Sequence, residues 1–189
     1  NFRFGKGRCG NSDDLKKLGT EIGLSVEIVG SELLSGIPVS SSRIREALHL
    51  GRMNEVNELL GWKYLASGLV VKGKGMGKDF GFPTINIQWN PQAQPAYGVY
   101  LGRAKCASSG EEKYAVANYG LRPTVEEGIT EPLLEAHILD PIDPGFGSVG
   151  QYFTMTLEAF LRPEKKFKSV EELKTQIGCD LAEAEKLRS

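Results

Sequence analysis

Thr84 and Asn86 carry side-chain oxygens two residues apart, directly behind Gly73-Lys74-Gly75-Met76-Gly77-Lys78-Asp79-Phe80-Gly81. A glycine-rich loop of this kind can bring its backbone N–H groups close to a phosphate chain. In an extended segment alternate side chains share a face, so Thr84, Asn86 and Gln88 point one way and Ile85, Ile87 and Trp89 the other. Two such oxygens suit Mg²⁺ held against a nucleotide; the plainer alternative is a hairpin loop with a half-buried strand behind it. Neither standard phosphate fingerprint fits. Gly68 to Gly73-Lys74 has the P-loop spacing, but Gly75 stands where Ser or Thr is required. Gly73 and Gly75 are followed by Lys78 where a dinucleotide loop needs its third glycine. If the loop with Gly73, Gly75, Gly77 and Gly81 holds phosphate, it does so by another design with Lys78 as the cationic contact; otherwise Lys74 and Lys78 are simply solvated.

Glu135 and His137 share one face of Leu133–Leu139, while Leu134, Ala136 and Ile138 share the other. A carboxylate in so apolar a strand could take a proton from a hydroxyl attacking phosphorus. Equally, it could be an exposed strand glutamate beside a satisfied core histidine. Arg122-Pro123 and Arg162-Pro163 each stand at a strand end, where the proline stops the ladder. Arginine suits anionic groups or the face of a flat ring, and structural ion pairs are its commoner use. Lys165, Lys166 and Lys168 read as a solvated edge, with Phe167 the unexplained residue among them. Ser40-Ser41-Ser42-Arg43 could bind phosphate at a helix N-terminus, or Ser40 and its neighbours could simply cap that helix.

These residues need a scaffold, and the chain has 189 residues to build it, 40% hydrophobic and 25% charged. A net charge of −1 offers no basic field for nucleic acid. No apolar run approaches the ~20 residues of a membrane span. Three dispersed cysteines favour a reducing, cytoplasmic setting over a disulfide framework or zinc site. Residues 1–61 read as mixed α/β: a helix capped by Ser12, one strand at Ser25–Val29, a helix opened by Ser40–Ser42, and another capped by Asn54. From Trp62 the texture is all-β, with strands expected at Tyr64–Lys72, Pro83–Gln88, Gly98–Cys106, Lys113–Tyr119, Leu133–Leu139 and Tyr152–Leu161. Six short, mostly antiparallel strands favour a barrel, since closure removes exposed edges. Ser169 and Glu172 then form a capping box for a last helix carrying Val170, Leu173, Ile177, Leu181 and Ala184.

Four stretches, in order, resemble the prokaryotic bifunctional riboflavin kinase/FAD synthetase family. Gly81-Phe82-Pro83-Thr84-Ile85-Asn86 is similar to its G-x-P-T-A-N motif, with Ile85 where alanine is usual. Asn118–Thr124 resembles its N-x-G-x-R-P-T segment, Leu134-Glu135-Ala136-His137 the strand of its kinase base, and Phe160–Phe167 its F-L-R-P-E-x-x-F run. The resemblance covers residues 62–189 as a riboflavin kinase domain. It implies a six-stranded antiparallel Greek-key β-barrel with a C-terminal helix, moving the γ-phosphate of ATP to the 5′-hydroxyl of riboflavin to give FMN. It further implies Mg²⁺ at Thr84 and Asn86, ATP phosphates at the glycine loop and Lys78, Glu135 as base, and Arg162, Phe167 and Arg122 at the flavin. Phe146-Gly147 departs from a usual Tyr-Gly pair, so the loop 143–147 is expected to differ. Residues 1–61 resemble the end of the family's Rossmann-like FMN adenylyltransferase domain, through Asn1–Arg8 and Ser40–Arg45. Its early H-x-G-H motif is absent, so the chain as given is expected not to make FAD, although a full-length parent would. The alternative is a non-catalytic flavin- or nucleotide-binding barrel.

Overall fold

A computed structural model describes residues 2–73, 75–107, 110–123 and 130–188. The chain forms two compact units, Asn1–Val39 and Ser40–Ser189. In the first, helix α1 (Ser12–Glu21) is capped by Asn11 rather than Ser12. The Asn11 side chain accepts from the N–H groups of Asp13 and Asp14, and the Asp14 carboxylate accepts the Asn11 N–H at 3.0 Å, closing a capping box. The strand expected at Ser25–Val29 does not form. A β-branched run becomes a strand only against a partner, and the pairing within this unit goes instead to the short hairpin of β1 (Leu33–Leu34) and β2 (Ile37–Pro38). Ser35 and Gly36, both at positive φ, make its turn.

The second unit begins with two helices. Ser40 caps α2 (Ser41–His49), accepting the Arg43 N–H at 3.2 Å. Helix α3 (Met53–Leu60) starts one residue before the expected cap Asn54, and no side chain caps it. It ends at Gly61 in the left-handed conformation, φ 77°. Ala47, Leu48, Met53 and Val56 lie in one core with the barrel residues. That is why the compact unit starts at Ser40. Asn57 secures the junction, donating to the Leu157 carbonyl at 3.1 Å and accepting the Tyr64 N–H at 2.8 Å.

The barrel is built from β3 (Tyr64–Val71), β4 (Ile85–Gln88), β5 (Gly98–Cys106), β6 (Glu112–Pro123), β7 (Thr130–Ile138) and β8 (Tyr152–Leu157), all paired antiparallel. Around the ring the order is β3-β4-β7-β6-β5-β8, with β8 returning to β3. β5, β6 and β7 form a meander, and β4 lies beside β7, which is the Greek-key arrangement. The expected last strand breaks at Glu158, whose N–H turns to the Leu101 carbonyl at 2.9 Å. Its continuation β9 (Ala159–Pro163) pairs with the other end of β5.

Alternation splits β5 and β6 between two cores. Inward residues, among them Ile87, Tyr100, Tyr119, Leu134, Ala136, Phe153 and Met155, fill the barrel. Burial pushes the Tyr100 and Tyr119 hydroxyls well above the ordinary tyrosine range, so both stay neutral in the core. Outward Val99, Leu101 and Val116 form a second cluster with Leu181 and Ala184 of helix α5 (Val170–Arg188). At its start the Ser169 hydroxyl accepts the Glu172 N–H at 3.1 Å, while the Glu172 carboxylate takes the N–H of Lys168, one residue short of a full capping box.

Gly102 and Gly178 make opposite demands on a methyl group. A Cβ at Gly102 would collide with the Thr156 backbone carbonyl, whereas one at Gly178, exposed in α5, would meet nothing. Gly102→Ala is therefore expected to destabilise by about 3 kcal/mol through overpacking. Gly178→Ala should stabilise by about 0.5–1 kcal/mol, and thermal melts should move in opposite directions.

Candidate functional site

Directly paired residues of antiparallel strands share a face, and the register carries one such row across five strands. Asn86 of β4 pairs with Glu135 of β7, Glu135 with Asn118 of β6, Asn118 with Val99 of β5, and Val99 with Arg162 of β9. The row lies on the outer face, because its neighbours Leu134, Ala136, Ala117 and Tyr119 fill the barrel. At strand spacing it runs roughly 19 Å from Asn86 to Arg162, with Glu135 one strand from the Asn86 end.

A cavity of about 280 Å³ lies over this row. Its floor includes Val99, Val116, Asn118, Glu135 and His137. One wall is the segment from Gly77 through Phe80 and Phe82 to Thr84, and the opposite wall is Leu173, Ile177, Asp180 and Leu181 of α5. Arg162, Glu164, Lys165 and Phe167 close the remaining end. The site is thus outside the barrel, between its surface, the glycine loop and the last helix.

The glycine loop is compact. A one-turn helix α4 (Met76–Asp79) stands between Gly75 and Gly81, both at positive φ. The Lys78 N–H bonds the Gly75 carbonyl at 3.0 Å, and the Phe82 N–H bonds that of Gly77 at 2.8 Å. Two other glycines are there for space. A Cβ at Gly73 would collide with the Asn86 amide, and one at Gly77 would stand 2.5 Å from the Phe82 carbonyl and 3.2 Å from Thr84 Oγ1. The loop therefore rests directly on the two oxygen-bearing residues. Asn86 is 8% exposed, Thr84 half-buried and Lys78 exposed. The Lys174 ammonium stands over the Phe80 ring at 5.6 Å and links α5 to this loop.

His137 is not a core histidine. It lines the cavity two residues from Glu135, and its Nδ1–H donates to the Pro83 carbonyl at 2.8 Å, which places the proton on that nitrogen. Its ring meets the Phe82 ring edge-on at 5.9 Å. The contact extends β7's hold on β4 to the residue before Thr84.

A family model described as Flavokinase: Riboflavin kinase matches residues 60–188. The chain belongs to the riboflavin kinase family. It is 37% identical over 180 residues to a bifunctional riboflavin kinase/FMN adenylyltransferase of Escherichia coli K12, and 35% identical over 186 residues to one of Pseudomonas fluorescens. These alignments take in 95% and 98% of this chain but 55% and 58% of the relatives, so the chain spans little more than half their length. A crystal structure described as a macrolide-efflux protein from Streptococcus pneumoniae has the same fold, with a TM-score of 0.78 and 27% identity over 96% of this chain and 57% of that one. Among the described residues no helix is long and apolar enough to cross a membrane.

Within this family member, the structure separates the residues singled out in the sequence. Thr84, Glu135, Arg162 and Phe167 all line the cavity, with Gly77, while Asn86 lies beneath the loop in Glu135's row. Arg162 is engaged in an ion pair with Asp180 as well as lining the cavity. Arg122 pairs through its backbone with Glu131 of β7, and its side chain lies outside the described residues. Lys165, read as part of a solvated edge, is exposed, and its ammonium also sits over the Phe167 ring at 5.5 Å and borders the cavity. Ser40 is a helix cap, and the nearby Arg43 pairs with Glu55 at 3.0 Å. Ile85 lies against Gly147, where a Cβ would collide with it, and Phe146 packs edge-on to Phe153 at 5.9 Å.

Sequence reasoning gave no role to Asn118, Asp180 or Gln176. Asp180 had a readable signal, since it falls seven residues after Leu173 and so within the apolar stripe of α5. Asn118 was legible only as the first residue of the N-x-G-x-R-P-T segment, because its place opposite Glu135 depends on the pairing of β6 with β7.

Proposed function

We propose that the chain is a riboflavin kinase, transferring the γ-phosphate of MgATP to the 5′-hydroxyl of riboflavin to give FMN and ADP. The observation that carries this reading is the row in which Glu135, at the floor of the cavity, stands beside Asn86 and the glycine loop at one end and leads to Arg162 at the other. Membership of the riboflavin kinase family supports it.

Glu135 takes the proton of the 5′-hydroxyl as that oxygen bonds to the γ-phosphorus and the bond to the ADP oxygen breaks. The glycine loop, through the backbone around Gly73, Gly75, Gly77 and Gly81, cradles the phosphates with Lys78. Phe167 and Arg162 hold the ring of riboflavin, with Arg122 assigned to the same end. Thr84 and Asn86 fit a magnesium ion that arrives with its nucleotide. They offer neutral oxygens against the loop, and among the described residues no group of three His, Cys, Asp or Glu could hold a metal by itself. When bound, the ion neutralises charge on the phosphate oxygens. Catalysis otherwise rests on holding hydroxyl and phosphorus in line. The setting is cytoplasmic metabolism. Residues 1–61 read as the last part of an FMN adenylyltransferase domain, a reading supported by the two activities in the relatives' names. The parent protein would carry FMN on to FAD.

Incubating the chain with riboflavin and MgATP, with and without a chelator, should give FMN only when the metal is present. Binding of both substrates without FMN would instead identify a non-catalytic flavin- and nucleotide-binding barrel. Glu135→Gln should lower kcat by about 10²–10⁴-fold, the usual worth of a positioned base; a rate near that of the wild type removes the assignment. Gly73→Ala forces the Asn86 amide to move and should lower kcat/KM for MgATP on the order of 10²-fold, with a cooperative melt retained.

A further inference from the structure

The Arg162 guanidinium, although it lines the cavity, has most of its hydrogen-bonding edge already engaged. Its Nε donates to both Asp180 carboxylate oxygens at 2.8 and 3.0 Å, its Nη2 to Asp180 at 2.7 Å, and its Nη1 to the Pro163 carbonyl at 3.0 Å. Asp180 is only 6% exposed and also accepts from Gln176 Nε2 at 3.0 Å. The Arg162 side chain is 19% exposed, and its guanidinium stands over the Phe167 ring at 5.8 Å. A carboxylate this buried calls for a matched partner, and two-pronged pairing fixes the plane of the guanidinium as well as its place.

We propose that Asp180, steadied by Gln176, is a positioning residue that makes Arg162 a charge-neutral flat wall for the ring of riboflavin. This rests on the riboflavin kinase reading. An unpaired guanidinium at this end of the cavity would attract anions, including the phosphates of ATP or FMN, into the space meant for an uncharged ring. Paired with Asp180, it keeps its planar face for stacking while its positive charge is cancelled along its edge. The same pair joins α5 to β9, so the wall formed by Leu173, Ile177 and Leu181 is held at the same spacing from the barrel surface.

The test is steady-state kinetics on Asp180→Asn, Arg162→Met and the double variant, with KM measured separately for each substrate. D180N is expected to raise the riboflavin KM at least 10-fold while the MgATP KM stays within 2-fold. In the Arg162→Met background the same change should move the riboflavin KM less than 2-fold, because there is no guanidinium left to orient. Asp180→Glu, which keeps the charge, should recover part of the loss. If D180N does not fold, Gln176→Leu removes one bond to Asp180 and should give the same split at about 3-fold. Equal rises for both substrates overturn the proposal, as does a D180N effect undiminished in the Arg162→Met background. Failure of the wild type to make FMN would sink the riboflavin kinase reading itself; FMN formation without the KM split would sink only the role of Asp180.

Discussion

Antiparallel pairing puts opposed side chains on one face of a sheet, and the site of this protein depends on that constraint more than on any single contact. β6 is the strand through which it acts. Its Asn118 is paired on one side with Glu135 and on the other with Val99, which in turn is paired with Arg162. A one-residue slip anywhere in this sequence of pairs would turn part of the row into the barrel. The inward residues resist such a slip. Tyr119, Leu134 and Ala136 are almost wholly buried, and exchanging them for Asn118, Glu135 or His137 would bury polar groups without partners. Core packing thereby holds the polar row in register.

The outer face would be a plain solvated surface but for α5. Val99, Leu101 and Val116 are apolar on the outside of a barrel, where alternation would otherwise place polar residues, and they are covered by Leu181 and Ala184. Toward the N-terminal end of the helix the cover lifts away, leaving the cavity between Leu173, Ile177 and the barrel. Hydrophobic burial fixes the helix at one end, and the Arg162–Asp180 pair holds it at the cavity itself. The glycine loop forms the opposite wall through close contact, with Gly73 and Gly77 small because Asn86 and Thr84 occupy the space a side chain would need.

Much of the scaffold was legible in the residues. The six strands, the last helix and the helix end at Gly61 follow from period, turn residues and capping chemistry. Two of the misses have long-range causes. Ser25–Val29 has strand propensity but no strand, since propensity needs a pairing partner that local sequence does not supply. The break at Glu158 was invisible because the alternation runs on through it; only the two different segments of β5 to which β8 and β9 pair require the bend.

By itself, the sequence determined which side chains could do chemistry: Glu135 and His137 on the polar face of an apolar strand, and Thr84 and Asn86 behind a loop of glycines. Local alternation is enough for that, because it is a property of each strand alone. The tertiary structure decided what those residues are near. It placed Glu135 beside Asn86, brought His137 to the Pro83 carbonyl, and turned Arg162 onto a carboxylate eighteen residues further along the chain. Such neighbours are set by strand order, register and the packing of α5. All three arise from long-range burial, which no spacing along the chain encodes.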